Sequence, residues 1–209
     1  MDEYWDKRFQ AEGKIWGETP SKTAVYALEL FTKEGVKKMV VPGSGYGRNT
    51  RLFSSAGIKV TGMEISETAV NFARKFDPTT RVYYDSVLDM SILGTNYDAV
   101  YCFNVLHLFR AYDRRLLMQQ CLGRIKKGGL LFFTVFSEKE DSCGIGKKIE
   151  ANTYESKPGR PVHYFTEEDL KKTFAGTEII ETGIMEDPED HGGGPHIHNL
   201  RYIYARKKK

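Results

Sequence analysis

Four small residues, Gly43, Ser44, Gly45 and Gly47, sit in the run Val40-Val41-Pro42-Gly43-Ser44-Gly45-Tyr46-Gly47-Arg48-Asn49. The run leaves an apolar stretch expected to be a strand and enters a pattern expected to be a helix. Glycines there permit a tight turn and let main-chain N–H groups approach a ligand closely, while the helix start adds partial positive charge. That chemistry suits a carboxylate or a phosphate. About twenty residues on, the next apolar run ends in Val60-Thr61-Gly62-Met63-Glu64, where a carboxylate can accept hydrogen bonds from two ribose hydroxyls. Glu64 is the expected ribose ligand. The glycine spacing is GxGxG, whereas a dinucleotide loop carries its third glycine one position later. An NAD site is therefore the competing reading.

A second concentration of chemistry lies in His191-Gly192-Gly193-Gly194-Pro195-His196-Ile197-His198, preceded by Glu186, Asp187, Glu189 and Asp190. In an extended segment His196 and His198 point to one face. The residue types leave three readings open: ordinary loop chemistry, substrate contact or proton acceptance, and a metal shared with a carboxylate. No metal is assigned. His107, just beyond an expected strand, is the competing base or else a packing histidine. Trp5, Phe9 and Trp16 read as the apolar face and exit of an N-terminal helix, and Tyr46 as a candidate wall of the site.

Positioning these groups requires a scaffold, and apolar β-rich runs alternate with helical patterns to supply one. Strands are expected at Lys38–Pro42, Ile58–Glu64, Arg81–Tyr84, Tyr97–Phe103 and Leu130–Phe136. Helices are expected at Arg48–Ala56, Glu67–Phe76 and Tyr112–Lys126, the last stopped by Gly128-Gly129, and after the N-cap Thr166 as far as Phe174. Such alternation implies a parallel sheet. Two further strands, Thr177–Met185 and Leu200–Arg206, lack a crossover helix between them and should pair antiparallel. Residues 137–163 are polar and aperiodic, which reads as an active-site loop or disorder, and 186–199 reads as a second active-site loop.

At 209 residues the chain closes one sizeable core, so a single domain over 1–209 is expected. A net charge of +3, with much of the excess in the terminal Arg206-Lys207-Lys208-Lys209, gives no basic stripe for nucleic acid. No stretch reads as a signal peptide or a membrane span. Three cysteines without a CxxC pair fit reduced thiols in a cytoplasmic compartment.

The glycine run, followed by Val60-Thr61-Gly62-Met63-Glu64-Ile65-Ser66-Glu67, resembles the class I S-adenosylmethionine-dependent methyltransferases. Asp85-Ser86 resembles that family's acidic motif after strand three, Asn104-Val105-Leu106-His107 its strand-four exit, and Leu122 to Leu131 its Leu-x-Pro-Gly-Gly turn, with Lys127 in place of the proline. The N-terminal Tyr4-Trp5-Asp6-Lys7-Arg8-Phe9 to Trp16 and the proline before the first glycine are similar to the thiopurine, thiol/halide and tellurite-resistance type enzymes. Most class I members carry an acid where Val41 stands.

The resemblance implies a doubly wound, seven-stranded, mostly parallel α/β sheet with a C-terminal antiparallel hairpin. It implies S-adenosylmethionine as cofactor, held by Gly43, Ser44, Gly45, Gly47 and Asn49, with Glu64 on the ribose, and Ile65, Asp85, Ser86 and Val87 about the adenine. Asn104 and Val105 would form the floor, and residues 1–20 with Trp16 a lid. Trp16, Tyr46, His107, Arg114 and His198 would meet the acceptor, Arg114 either steering an anion or solvating a helix start. His107, His191 and His196 are the candidate bases. The expected reaction is methyl transfer to a small thiol or other soft nucleophile. Oxygen or nitrogen acceptors, NAD-dependent oxidoreduction, and cofactor binding without turnover are the alternatives.

Overall fold

The computed structural model describes residues 2–190 and 194–208. Helices α1 (Asp2–Glu12) and α2 (Lys22–Lys33) precede β1 (Lys38–Pro42), α3 (Thr50–Ser55), β2 (Lys59–Glu64), α4 (Glu67–Phe76), β3 (Arg81–Tyr84) and β4 (Tyr97–Phe103). A 3-10 turn at Leu106–Leu108 leads to α5 (Ala111–Arg124) and β5 (Ile125–Phe136). There follow β6 (Lys147–Glu150), β7 (Thr153–Lys157), β8 (Arg160–His163), α6 (Glu167–Thr173), β9 (Thr177–Asp190) and β10 (Pro195–Lys207).

Seven strands form one sheet in the order β3-β2-β1-β4-β5-β10-β9. All pairings are parallel except those of β10, which runs antiparallel to both β5 and β9. The strands are apolar on both faces because helices cover both. In β5, Leu131, Phe133 and Val135 enter the core beneath α5 and α6, and Leu130 and Phe132 enter the opposite core with Ala24, Ala27 and Phe31 of α2. Each such side chain contributes about 1.5–3 kcal/mol of burial. Cys102 and Cys121 belong to the first core, and all three cysteines are free.

Caps set the helix starts that matter here. The Ser66 hydroxyl accepts from the Ala69 N–H and the Thr166 hydroxyl from the Asp169 N–H, each capping interaction contributing about 1 kcal/mol. Helix α1 docks on the same α4 end, where Asp6 Oδ1 accepts from Ser66 Oγ at 2.7 Å and from the Thr68 N–H at 2.9 Å. These bonds hold the Asp6 carboxyl below its usual range, the Thr68 N–H contributing most.

Four sequence expectations are corrected. Residues 137–163 are a loop only as far as 146: from Lys147, β6, β7 and β8 form a three-stranded antiparallel sheet of their own. Residues 186–199 are mostly strand, since β9 continues to Asp190 and β10 begins at Pro195. Helix α5 ends at Arg124, before Gly128-Gly129, because Ile125 is already extended and paired with Tyr97. Helix α2, unanticipated, supplies one of the covers that the sheet requires.

Candidate active site

A cavity of ≈ 810 Å³ opens at the carboxyl ends of β1, β2 and β4, where open α/β sheets bind ligands. Its glycine-loop wall is built by close approach. At Gly43, φ is +65° and an added Cβ would lie 2.3 Å from Val105 Cγ2, so the loop can lie against the β4 exit only as glycine. Gly62 performs the same service from β2: a Cβ there would meet Ser44 Oγ at 2.7 Å. Ser44 Oγ itself is buried without a partner, an unsatisfied donor suited to a polar ligand group in the cavity.

Glu64 is 6% exposed. One carboxylate oxygen accepts from the Gly45 N–H at 2.9 Å, and the other accepts from the Ile65 and Ser66 N–H groups at 2.8 and 2.9 Å. Burial pushes the carboxyl up against these three donors. Glu64 therefore ties the glycine loop to the end of β2, a duty its position in the sequence did not reveal.

The other expected cofactor contacts divide. Gly43, Ser44, Gly45, Asn49, Glu64, Ile65, Ser86, Val87, Asn104, Val105 and Trp16 line the cavity. Gly47 does not; its φ of +96° serves the turn, where a Cβ would crowd Thr50. Asp85 is exposed beyond the cavity lining, its carboxylate accepting from the Ser86 N–H at 2.7 Å. It occupies the strand-end turn role. Asn49 Oδ1 accepts from the Ser21 N–H at 3.0 Å and so anchors the N-terminal segment as well. Asn104, at φ +54°, accepts from Thr134 Oγ1 at 3.2 Å.

The N-terminal segment closes one side. Trp5, Phe9, Trp16 and Tyr46 form an aromatic cluster in which Trp16 and Tyr46 stack at 6.2 Å and 11°. The Tyr46 hydroxyl donates to the Gly17 carbonyl at 2.6 Å and accepts from the Trp16 N–H at 3.1 Å. Tyr46 is thus chiefly an anchor for this segment, and burial pushes its phenol up to about 12. Arg48 donates to the Trp16 carbonyl at 3.0 Å and forms a two-bond ion pair with Glu189 at 3.0 and 2.8 Å. One arginine thereby joins the glycine loop, the N-terminal segment and the C-terminal hairpin.

His107 is 2% exposed and stacks on Phe136 at 4.2 Å. Its Nδ1 accepts from the Phe136 N–H at 3.2 Å, so Nε2 carries the hydrogen of the neutral ring. Burial, aided by the positive charge of Arg160, holds the imidazole well below its usual range. In this arrangement His107 donates and has no nitrogen free to take a proton, which corrects its reading as a base.

His198 also stacks on Phe136, at 4.9 Å. Its Nδ1 faces Glu140 Oε2 at 2.8 Å, His196 Nδ1 faces the Gly194 carbonyl at 2.9 Å, and the two Nε2 atoms are 3.1 Å apart. Glu140 also accepts from the Asn199 N–H. Both Nδ1 atoms face acceptors and carry hydrogens. His191 lies outside the described residues. Among the described residues no group of three or more His, Cys, Asp or Glu side chains could hold a metal.

Arg114 is not at the cavity. It donates to the Phe109 carbonyl at 2.7 Å and pairs with Glu150 at 3.8 Å, holding the β6 end near α5. Among the cations that do line the cavity are Arg160, from the small sheet that the sequence did not disclose, and Lys157 beside it. Glu140 went unmarked in the sequence, and Arg48, Glu189 and Gly62 were named there without these roles, because each acts through a partner distant along the chain.

Residues 40–133 match a family described as a methyltransferase domain. A probable thiol methyltransferase 2 from Arabidopsis thaliana is 25% identical over 157 residues, covering 72% of this chain and 69% of that protein. Among solved structures, a protein studied for conversion of a disulfide bond into a thioacetal group during echinomycin biosynthesis superposes with a TM-score of 0.78 at 16% identity, covering 100% of this chain and 92% of the other. Magnesium protoporphyrin IX methyltransferase from Synechocystis PCC 6803 with bound S-adenosylhomocysteine gives 0.73 at 18% identity, covering 99% and 98%. Among the described residues no helix is long and apolar enough to cross a membrane. Residues 40–133 thus carry the match to a methyltransferase domain, and the seven-stranded sheet with its antiparallel β10 is the fold of the methyltransferase structure on which the chain superposes.

Proposed function

We propose that the protein transfers the methyl group of S-adenosylmethionine to a small thiol or similarly soft nucleophile, as in the thiopurine, thiol/halide and tellurite-resistance type group. The observation that carries this reading is that one cavity is lined by a polar glycine-loop set and by an apolar set, with Asn104 and Val105 also in its lining. The first comprises the glycine loop, the orphaned Ser44 hydroxyl, Glu64, Ile65, Ser86 and Val87, a set that fits an adenosyl ligand with an amino-acid tail. In the second, Trp5, Leu108, Phe136 and Val162 form an apolar wall, and His107 offers only an N–H. The thiol methyltransferase relative supports the same acceptor class.

The cofactor supplies an activated methyl group, so the chain's residues have mainly to align, desolvate and exclude water. A lone pair on the acceptor forms the new bond to the methyl carbon as the sulfonium–methyl bond breaks, leaving a neutral thioether. A thiol loses its proton easily near neutral pH, and the His107 N–H is placed to steady the resulting thiolate. The His196–His198 pair, whose Nε2 atoms stand 3.1 Å apart in the same cavity, is the proton acceptor in this reading. The same pair favours a second reading, in which an oxygen or nitrogen acceptor is deprotonated by it. The three free cysteines suit a reducing compartment such as the cytoplasm.

Matched aromatic acceptors distinguish the two readings. With labelled S-adenosylmethionine, thiophenol should be methylated and phenol and aniline should not; preference for phenol or aniline would replace the thiol reading by the second one.

A further inference from the structure

Most arginines of the chain that lie near the site, or pack against the elements that build it, have a carboxylate. Arg48 pairs with Glu189, Arg114 with Glu150, Arg201 with Glu138, and Arg8 with Glu12. Arg160 is different. It lines the cavity at the start of β8 and makes no ion pair among the described residues. Its Nη1 donates to the Tyr4 hydroxyl at 3.3 Å, its guanidinium lies 5.5 Å from the centre of the Tyr4 ring, and its Nε is buried without a partner.

Lys157, cross-strand from Arg160 in the β7–β8 hairpin, also lines the cavity and is likewise without an ion pair among the described residues. Two cations without carboxylates thus stand over a lobe whose wall is otherwise apolar. Of the acids lining the same cavity, Glu64 is committed to three amides and Glu189 to Arg48, while Asp113 lies in the first turn of α5. The Arg160 charge is felt within the lobe, where it reinforces burial in keeping His107 neutral. A planar guanidinium with unsatisfied donors matches a carboxylate through two parallel N–H···O bonds. By accepting from Arg160, the Tyr4 hydroxyl helps to hold the guanidinium in place.

We infer that Arg160, with Lys157, binds a carboxylate of the methyl acceptor, so that the acceptor is a mostly apolar acid. This rests on the reading that the lobe beside His107 holds the acceptor, and it deepens that reading by naming the acceptor's charge. Specificity then comes from the small sheet β6–β8, which the cofactor end does not use. An uncharged acceptor of the same shape would leave two cations unanswered at the mouth of an apolar site.

The test uses benzoate and its uncharged isostere benzamide as probes, titrated calorimetrically into the full chain with and without saturating S-adenosylhomocysteine. Benzoate should bind at least 10-fold more tightly than benzamide. Arg160→Met should bring that ratio below two, and Arg160→Lys should retain part of it, with the S-adenosylhomocysteine affinity of both variants within two-fold of wild type as the sign of an intact fold. Equal binding of the two probes, binding of neither, or a ratio unchanged in Arg160→Met would overturn the proposal. If the adenosyl ligand gives no heat while benzoate still binds through Arg160, the cofactor reading fails and the anion site stands.

Discussion

Glu64 and Gly45 are joined by a 2.9 Å hydrogen bond from the Gly45 N–H to the carboxylate, whose other oxygen accepts from Ile65 and Ser66. A carboxylate has about four acceptor positions, and three are filled by main chain. The glycine loop is thereby held in place before any ligand arrives, and the remaining position is available to a ribose hydroxyl. The residue chosen in the sequence as a ligand is also the residue that shapes the loop.

Replacing Glu64 by Ala should therefore weaken S-adenosylhomocysteine binding by about 1–3 kcal/mol and also lower the unfolding midpoint, since three buried amides lose their acceptor. Glu64→Gln should fall between, because one amide group would present hydrogens to main-chain donors. Calorimetry and urea unfolding check both, and an unchanged affinity in Glu64→Ala would remove this residue from the site.

The Arg48–Glu189 pair is buried on both sides, with side chains 9% and 6% exposed. Removing one partner should destabilise the protein by about 3–5 kcal/mol, and removing both should recover much of that loss. Arg48→Met, Glu189→Met and the double variant, compared by denaturant unfolding, measure the coupling. Additive effects would mean that the pair does not hold the hairpin to the loop.

His107 gives a pH signature. Its folded value lies well below 6.5 because of burial, so below about pH 6.5 the unfolded chain binds a proton that the folded chain refuses. Stability is complete above that pH and declines as pH falls toward the folded value. His107→Gln, whose side-chain oxygen can still accept from Phe136, should flatten the decline between pH 6.5 and 5 in thermal unfolding. A slope identical to wild type would show that other groups cause it.

His196→Ala should reduce turnover by about 100-fold with the S-adenosylhomocysteine affinity within two-fold of wild type, the loss narrowing as pH rises and the acceptor arrives already deprotonated. A loss confined to KM would reassign His196 to acceptor binding alone.

The sequence made the parallel sheet legible because β1, β2 and β4 are long apolar runs and α4 carries its own cap at Ser66. It hid β6–β8, where strands such as Lys147–Glu150 lack alternation and are held by pairing with neighbours. The extension of β9 through Asp187-Pro188-Glu189-Asp190 has turn-like composition. Strand conformation there is supported from outside, by Arg48 on Glu189 and by the Lys22 N–H donating to Asp187 at 3.3 Å. For the site, the glycine loop and Glu64 carry a spacing signal. The Glu140–His198–His196 chain and Arg160 do not, because residues 58 positions apart in one case and 156 in the other meet only in the fold. Arg114 illustrates the converse, an exposed-looking cation in sequence that the fold assigns to Glu150.

Calorimetric titration of the full chain with S-adenosylmethionine and S-adenosylhomocysteine, with NAD as control, tests the central claim most directly. One molecule of either adenosyl ligand should bind per chain, with NAD giving no heat and Glu64→Ala weakening the binding. Binding of NAD alone would contradict the account.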